Sequence, residues 1–344
     1  MLSFITTEQA LHAPRDEFFR GERVPCHEGP PRAAFVEQAL RTQGHTLQAP
    51  HVDSTRWLMQ VHAPRYIDFL RRAWDDWLAL DPANAALDAL PSVWPVRTLR
   101  SDVEPANFTA RLGLYSMDNG SPLSAGTWAA AKMAADAAAS AAQALQGGER
   151  AAFCATRPPG HHAGPDFMGG YCFLNNAAVA AQALRDGGAA RVAVLDVDYH
   201  HGNGTQAIFY ERADVLFVSI HGDPRTEYPF YLGHADETGA GEGAGCNLNL
   251  PLPAGSSAAT WFTALEAACA RVARHRADAL VVSLGLDTFA GDPISTFQLQ
   301  AADFTCLGQR LRRLGLPVIF VLEGGYAAAA LGENAVCVLE GFET

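Results

Sequence analysis

Several apolar runs of the sequence end in residues that bind metal ions. Asp196, Asp198 and His200 occupy alternate positions at the end of the run Val192–Val197, so in extended chain their side chains project to the same side. Asp287 follows a second apolar run. Two carboxylates and one imidazole are typical of a catalytic divalent-metal site with open positions, whereas structural zinc sites are closed, usually by cysteines. We therefore predict that Asp198, His200 and Asp287 ligate a metal ion.

One metal ion is expected rather than two. Binuclear hydrolases of related topology use further carboxylates to bridge a second metal, but Gly202 stands two residues after His200, and Phe289 two residues after Asp287. Taken alone, each ligand candidate is better explained as an aspartate that caps a helix or a histidine in a turn. Their combination at strand ends, together with a tandem histidine elsewhere, favours the metal site.

A second group of residues is suited to proton transfer. His161 and His162 follow the rigid run Pro-Pro-Gly, and imidazoles titrate near neutral pH, which suits general acid–base catalysis. Tyr326 follows two glycines, which allow its phenol to approach a substrate carbonyl and stabilise an oxyanion. The alternatives are two histidines of a surface loop and a tyrosine for which Gly-Gly-Tyr alone is weak evidence.

Predicted strands would position these residues. The carboxyl-terminal two thirds of the chain alternates short aliphatic runs with helical stretches, which predicts an α/β fold with a parallel sheet covered on both faces. Ligands bind beyond the carboxyl ends of the strands in such folds. The predicted strands are Ala151–Ala155, Val192–Val197, Val215–His221, Ala279–Leu284 and Pro317–Leu322. The predicted helices are Gly126–Gly147, Leu174–Arg185, Ala258–Arg274 and Asp303–Leu314.

The proline-rich segment 81–122 has no regular pattern. Nothing before it resembles an independent core, so we interpret it as a long loop within one domain that spans residues 1–344. Such loops usually carry function.

Composition narrows the class of protein. The 344 residues are 49% hydrophobic and 18% charged, which permits a large core and argues against wholesale disorder. A formal net charge of −12 argues against nucleic-acid binding and suits a cationic substrate, although acidity also promotes solubility. No apolar run is long enough to span a membrane, and the amino terminus lacks the pattern of an export signal. Seven scattered cysteines are typical of a reduced, cytoplasmic protein.

Together these segments resemble the zinc-dependent histone deacetylase superfamily, and within it the bacterial acetylpolyamine amidohydrolases. The matching motifs are Arg157-Pro-Pro-Gly-His-His162, Gly169-Gly-Tyr-Cys-Phe-Leu-Asn-Asn176, Asp196-Val-Asp-Tyr-His-His-Gly-Asn-Gly204, Ser219-Ile-His221, Gly285-Leu-Asp-Thr-Phe289 with Gly291-Asp-Pro293, and Glu323-Gly-Gly-Tyr326. Further matches from Gly21 onward extend the resemblance over nearly the whole chain.

The resemblance implies a three-layer αβα arginase/deacetylase fold that hydrolyses an acetamide to acetate and amine. The metal would be Zn²⁺, one per chain, held by Asp198, His200 and Asp287. His162, paired with Asn203, would be the general base and acid, and His161, paired with Asp196, would act mainly electrostatically. Tyr326 would donate a hydrogen bond to the oxyanion.

The resemblance also implies a K⁺ ion and a substrate tunnel. The K⁺ ion would be held by Asp196, main-chain oxygens of Asp198 and His200, the Ser219 hydroxyl and the Ile220 carbonyl. The tunnel would be lined by Gly170, Tyr171, Tyr228 and Ile294, although the aromatic residues equally fit core packing.

The segment 81–122 departs from the family pattern. In the polyamine enzymes this loop supplies acidic residues for the distal ammonium and helps to form a homodimer. Thr109 and Gly120 stand at the two acidic positions here, while Asp102, Glu104 and Asp118 are nearby candidates or solvated loop charges.

The resemblance therefore predicts a homodimeric enzyme that deacetylates small N-acetylated amines, most of all acetylpolyamines. The alternative is a deacetylase of acetyl-lysine in proteins. A non-catalytic module that binds acetylated ligands is disfavoured, because the metal ligands, both histidines and Tyr326 are all present.

Overall fold

The computed structural model describes residues 1–19 and 21–344. These residues form a parallel eight-stranded sheet. Its strands are β1 (Leu2–Phe4), β4 (Thr46–Gln48), β5 (Ala151–Cys154), β6 (Val192–Asp196), β7 (Val215–Gly222), β8 (Asn247–Leu252), β9 (Ala279–Leu284) and β10 (Val318–Leu322). The strand order is β4-β1-β5-β10-β9-β6-β7-β8. A separate antiparallel hairpin pairs β2 (Asp16–Phe19) with β3 (Glu22–Pro25).

Ten α-helices occur among the described residues. They are α1 (Pro31–Thr42), α2 (Thr55–Val61), α3 (Pro64–Leu80), α4 (Phe108–Leu114), α5 (Thr127–Gln146), α6 (Asn176–Asp186), α7 (Asn203–Phe209), α8 (Ala258–His275), α9 (Ala301–Arg312) and α10 (Ala328–Glu343). Short 3-10 helices cover Thr7–Leu11, Pro82–Ala86 and Gly241–Gly243.

Two hydrophobic cores lie on opposite faces of the sheet, because successive side chains of a strand point to opposite faces. In β6, Val192 and Val194 pack into the core that contains the alanine-rich faces of α5 and α6. Ala193 and Leu195 pack into the other core, beside residues of α8, α9 and α10. All five residues of β6 are buried, as expected for a strand covered on both faces. The layers are therefore helices, sheet and helices.

The structure confirms the predicted α/β fold with its central parallel sheet. The five predicted strands and four predicted helices are all present, and their ends differ from the predicted ends by at most two residues. Strands β1, β4 and β8 were not predicted. The first two have three residues each, and β8 alternates asparagine with leucine at the sheet edge.

The segment 81–122 is less irregular than its prolines suggest. It contains the 3-10 helix Pro82–Ala86, the helix α4 and a bridge between Ala89 and Leu123. Within residues 1–19 and 21–344, none of the helices combines the length and apolarity of a bilayer-spanning segment.

Candidate active site

Four neighbouring strands position the predicted metal and proton-transfer residues. In the order β5-β10-β9-β6 they occupy the middle of the sheet. The chain after β5 contains His161 and His162, the chain after β10 contains Glu323 and Tyr326, the chain after β9 contains Asp287, and β6 ends at Asp196. Because the strands are parallel and in register, these ends meet at one edge. The site is therefore positioned by the most buried part of the fold.

The structure brings Asp198, His200 and Asp287 together, with ligand atoms within 4.8 Å of one another. His200 Nδ1 lies 3.0 Å from Asp287 Oδ2 and 3.3 Å from Asp198 Oδ1. Main-chain groups orient the remaining oxygens. The Tyr199 N–H donates to Asp287 Oδ1 over 2.8 Å, and the Gly324 N–H donates to Asp198 Oδ2 over 2.9 Å. Both carboxylates are thus held with an oxygen directed to the same imidazole nitrogen.

Glycine is required where the strand ends approach this cluster. A Cβ atom on Gly285 would lie 2.1 Å from Asp198 Oδ2, and one on Gly324 would lie 2.6 Å from the same oxygen. Both distances are shorter than van der Waals contact, so any side chain at either position would displace the Asp198 carboxylate.

The electrostatics of the cluster fit a bound cation. Burial, and then the charge of Asp198, raise the pKa of Asp287 to about 8. Burial lowers the pKa of His200, but hydrogen bonds to Asp198 and Asp287 outweigh it and raise that pKa to about 10. Both shifts have one cause, which is the negative charge that Asp198 and Asp287 bring together in a buried cluster. A divalent ion bound by the same three groups would balance that negative charge, so this donor set fits a metal ion.

The tandem histidines contact different partners. His161 Nδ1 lies 2.9 Å from Asp196 Oδ2, and His162 Nδ1 lies 2.7 Å from Asn203 Oδ1. The two ring centroids are 4.0 Å apart. Burial lowers the pKa of His161, but the charges of Asp198 and Asp196 overcome it and raise the pKa to about 10. Burial and the neighbouring His161 and His200 lower the pKa of His162. The pKa values of the two adjacent imidazoles are therefore shifted in opposite directions.

Tyr326 lies at the end of β10, beside a buried arginine. The guanidinium carbon of Arg32 lies 4.8 Å from the centroid of the Tyr326 ring. Arg32 also donates to the carbonyl oxygens of Glu323 and Gly325, over 2.6 and 2.7 Å. Burial raises the pKa of Tyr326 well above its ordinary value, which keeps the phenol protonated and able to donate.

The residues predicted to line a tunnel approach the predicted catalytic residues to different degrees. The Tyr228 ring meets the His162 ring edge-on, with centroids 4.9 Å apart. The Tyr171 ring lies 5.5 Å from the Tyr326 ring. A Cβ atom on Gly170 would lie 2.4 Å from His162 Cδ2, so this glycine also lies against the imidazole. Ile294 is linked to Tyr326 through Asp292, whose carboxylate accepts from the N–H groups of both residues.

Most residues predicted to hold K⁺ lie beside the histidine pair. Asp196 on β6 is opposite Ser219 on β7 in the sheet register, and both are fully buried. The Ser219 hydroxyl is 2.8 Å from His221 Nδ1, and Ile220 is the next residue of β7. The polar groups of this predicted set therefore adjoin one another.

Sequence reasoning did not assign a role to two buried acids that hold the site in place. Glu323 Oε2 accepts from the N–H groups of Gly160 and His161, over 2.6 and 3.1 Å. Asp292 Oδ2 accepts from the Tyr326 N–H over 2.6 Å. Both acids stand inside the motifs quoted above, so their positions were visible, but nothing in the sequence indicated which main-chain groups they would bind.

The acidic candidates of the segment 81–122 differ in location. Asp102 is exposed and accepts two hydrogen bonds from Arg100, over 2.9 and 2.6 Å. Glu104 accepts from the Tyr115 hydroxyl within the same segment. Asp118 instead contacts the predicted tunnel residues, because the Tyr228 hydroxyl donates to its Oδ2 over 2.6 Å. Gly120 contributes its carbonyl, which accepts from the Tyr171 N–H over 3.2 Å, and Thr109 lies in the first turn of α4.

Comparison with known proteins gives consistent relatives. The histone deacetylase domain model matches residues 27–342. Acetylpolyamine amidohydrolase 2 of Pseudomonas aeruginosa is 52% identical over 344 residues, which cover 100% of this chain and 99% of that protein. Acetylpolyamine amidohydrolase of Mycoplana ramosa is 42% identical, with 99% of each chain covered. A crystal structure of acetylpolyamine aminohydrolase from Burkholderia pseudomallei superposes with a TM-score of 0.95 at 42% identity, and covers 100% of this chain and 99% of that chain.

Proposed function

The chain belongs to the histone deacetylase family, and we propose that it hydrolyses the acetamide bond of small N-acetylated amines, most of all acetylpolyamines. The observation that carries the proposal is a complete set of metal ligands, paired histidines and tyrosine in a chain 52% identical, over its whole length, to a protein named acetylpolyamine amidohydrolase 2. Nothing in the site favours acetyl-lysine of a folded protein over these small amides.

Asp198, His200 and Asp287 would hold Zn²⁺, for which their mixed oxygen and nitrogen donors are suited. The ion supplies Lewis acidity at the acetyl carbonyl and lowers the pKa of water. The protein's own contribution begins with orientation, because main-chain N–H groups of Tyr199 and Gly324 fix both carboxylates before any ligand binds.

His162 would take the proton of the attacking water and return it to the departing amine. Its Nδ1 faces the Asn203 carbonyl oxygen, so Nδ1 carries the hydrogen and Nε2 is left with its lone pair. A neutral amide stabilises the imidazolium less than a carboxylate does, which favours release of the proton to the amine. His161 faces the carboxylate of Asp196 and would remain charged, as an electrostatic partner.

Tyr326 would donate a hydrogen bond to the oxyanion that forms as water adds to the carbonyl. Its main-chain N–H is fixed by Asp292, and the flanking carbonyls of Glu323 and Gly325 are fixed by Arg32. These contacts fix the main chain that carries the phenol, and among residues 1–19 and 21–344 no hydrogen bond occupies its hydroxyl, which leaves the donor free for substrate.

We extend the proposal to K⁺ and to a homodimer. The adjacency of Asp196, Ser219 and Ile220 supports a monovalent cation there, with main-chain oxygens of Asp198 and His200 as further ligands. Exposed apolar side chains of the segment 81–122 support a second copy of the chain on that surface, and these are Leu87, Val93, Val96, Leu99 and Val103. Seven free cysteines agree with the predicted cytoplasmic location.

The decisive experiment compares kcat/KM for acetylputrescine, acetylcadaverine, acetylspermidine and an acetyl-lysine peptide, on protein of measured zinc content. We expect the acetylated amines to be preferred over the peptide. A clear preference for the peptide would overturn the assignment of substrate, whereas the absence of any amide hydrolysis by zinc-loaded protein would overturn the assignment of reaction.

A further inference from the structure

His221 is a fully buried histidine of β7 that has no part in the mechanism proposed above. It stands two residues after Ser219, so both side chains project from the same face of the strand. Its Nδ1 lies 2.8 Å from the Ser219 hydroxyl oxygen, and its Nε2 lies 2.8 Å from the Gly233 carbonyl oxygen. The imidazole therefore bridges β7 and the connection that leads from β7 to β8.

These two contacts determine which nitrogen of His221 carries the hydrogen. A carbonyl oxygen only accepts hydrogen bonds, so the Nε2 that faces Gly233 is the donor. The ring is buried and its nitrogens face a carbonyl and a hydroxyl, neither of which is charged, so burial favours the neutral imidazole. In that form Nδ1 has a lone pair and accepts the hydrogen of the Ser219 hydroxyl.

This direction leaves the Ser219 oxygen with lone pairs only. A hydroxyl has one hydrogen and two lone pairs, and the hydrogen is taken by His221. Asp196 is opposite Ser219 in the register of β6 and β7, and both side chains are fully buried. Oxygen lone pairs are the ligands of a hard cation, whereas a hydroxyl hydrogen directed at the ion would repel it. The orientation of the Ser219 hydroxyl therefore fits the predicted cation site.

The Gly233 carbonyl is itself held in place. The Gly233 N–H donates to Glu237 Oε2 over 2.9 Å, and the Gln206 side chain of α7 donates to the same oxygen over 2.6 Å. Gly233 has a φ of +108°, which favours glycine. A Cβ atom at this position would lie 2.9 Å from His221 Nε2, so a side chain there would displace the imidazole.

A neighbouring histidine shows that burial alone does not produce this arrangement. The His201 ring lies 4.6 Å from the His221 ring, centroid to centroid, and is also fully buried. Its Nε2 contacts Gln206 Oε1 at 3.0 Å, but within residues 1–19 and 21–344 its Nδ1 has no hydrogen-bond partner. Both nitrogens of His221 are used, and one of them is used by a residue of the predicted cation site.

We propose that His221 is a positioning residue for the monovalent-cation site, because it fixes the Ser219 hydroxyl with its oxygen available to the ion. The inference rests on the K⁺ site of the proposed function, and it adds a residue that is not one of the ligands expected there. Gly233 and Glu237 belong to the same arrangement, since they set the hydrogen position on the imidazole.

The test measures K⁺ binding without using activity. Protein loaded with zinc and dialysed free of K⁺ is unfolded by heat at a series of KCl concentrations, with choline chloride keeping the ionic strength constant. The dependence of the unfolding midpoint on K⁺ concentration gives an apparent Kd for K⁺.

The variants separate the two nitrogens of His221. His221→Gln places an amide near Nε2, where it can still donate to Gly233, and removes the acceptor at Nδ1. His221→Asn places an amide oxygen near Nδ1 and so restores that acceptor. Ser219→Ala removes the expected ligand, and a double variant combines it with His221→Gln. His275→Gln is the matched control, because His275 is also buried but lies at the carboxyl end of α8.

We expect His221→Gln to raise the apparent Kd for K⁺ by roughly 3- to 10-fold, the scale of one neutral hydrogen bond. Ser219→Ala should raise it at least as much. The double variant should resemble Ser219→Ala alone, because His221 acts through the hydroxyl. His221→Asn should recover most of the affinity, and His275→Gln should leave it unchanged.

Three outcomes would overturn the inference. An unchanged Kd in His221→Gln would remove His221 from the cation site, and equal Kd values in the Gln and Asn variants would mean that the acceptor at Nδ1 is not the requirement. Losses that add in the double variant would show that His221 does not act through Ser219. If His221→Gln does not fold, His221→Phe, which keeps the ring shape, takes its place with the same expectation.

Failure of the proposed cation site is visible in the wild-type protein alone. A midpoint that K⁺ does not raise above its value in choline chloride would overturn that site and this inference together. The proposed amide hydrolysis is tested separately, by the substrate comparison described above.

Discussion

The two sides of the proposed active site are built by different means, and they are called the metal side and the substrate side after the roles proposed above. On the metal side, Asp198, Asp287 and Glu323 follow neighbouring strands of one sheet, and main-chain groups hold their carboxylates. On the substrate side, Asp118 and Tyr228 come from two loops and depend on each other for a side-chain hydrogen bond.

This difference indicates that the fold constrains the residues at the strand ends and leaves the loop residues freer to vary. A change on the metal side disturbs a sheet buried on both faces, and glycines at 285 and 324 already leave no room for adjustment. A change on the substrate side alters loop contacts while the strands stay in place. The reaction and the choice of substrate are therefore expected to respond separately to substitution.

The largest effect is expected from Asp287→Ala. Removal of one ligand should abolish stable metal binding and lower kcat/KM by more than about 10³-fold, since the metal contributes several kcal/mol to the transition state. Metal content per chain and kcat/KM are the measurements, with Asp102→Ala as control. Full metal content together with full activity would show that Asp287 is not a ligand.

Tyr326→Phe should come next. Loss of the one phenolic donor is expected to lower kcat by roughly 10²- to 10³-fold, with little change in metal content. The measurement is kcat with the acetylated amine that the wild-type protein hydrolyses most efficiently. A near-normal kcat would show that Tyr326 does not stabilise the oxyanion.

A smaller loss of kcat is expected from Glu323→Ala. This variant tests whether the metal side requires the hydrogen bonds that the Glu323 carboxylate accepts. The change leaves the buried N–H groups of Gly160 and His161 without their acceptor, which should lower kcat by roughly 10- to 100-fold. Glu323→Gln keeps an acceptor oxygen and should recover most of the activity. If both variants lost activity equally, the charge of Glu323 rather than its hydrogen bonds would be the requirement.

The smallest effect is expected from Met117→Leu on the substrate side. The Met117 sulfur accepts from Asn203 Nδ2 at 3.2 Å, which helps to turn the Asn203 oxygen towards His162. Leucine fills a similar volume without the weak acceptor, so kcat should fall by no more than about threefold. A decrease as large as that of Tyr326→Phe would mean that the two sides are more tightly coupled than their contacts indicate.

The site was predictable where residues able to bind a metal or transfer a proton stand at the ends of predicted strands. Asp196, Asp198 and His200 alternate at the end of an apolar run, and this spacing alone places their side chains on one side of the chain. The structure brings them together with Asp287, His161 and His162 as the motifs predicted. The central strands were also predictable, because continuous aliphatic runs are typical of strands buried on both faces.

The positions of other side chains were not predictable, because they depend on contacts between residues that are far apart in the sequence. Asp102, Glu104 and Asp118 have the same local character in the sequence. Only the folded chain distinguishes Asp118, which accepts from the Tyr228 hydroxyl, from the two acids that pair within their own segment. Arg32 could not be assigned either, since its carbonyl acceptors lie 291 and 293 residues further along the chain. No periodicity or spacing encodes such contacts.

The position of β10 has a consequence for the order in which the protein is made. This strand follows the other seven strands of the sheet in sequence, yet it lies between β5 and β9, in the middle of the sheet. Until residues 318–322 leave the ribosome, the sheet can exist at most as two blocks, β4-β1-β5 and β9-β6-β7-β8, each with an open edge where β10 belongs. Because unpaired edges promote aggregation, the nascent chain passes through a vulnerable stage that lasts until β10 has been synthesised and has entered the sheet.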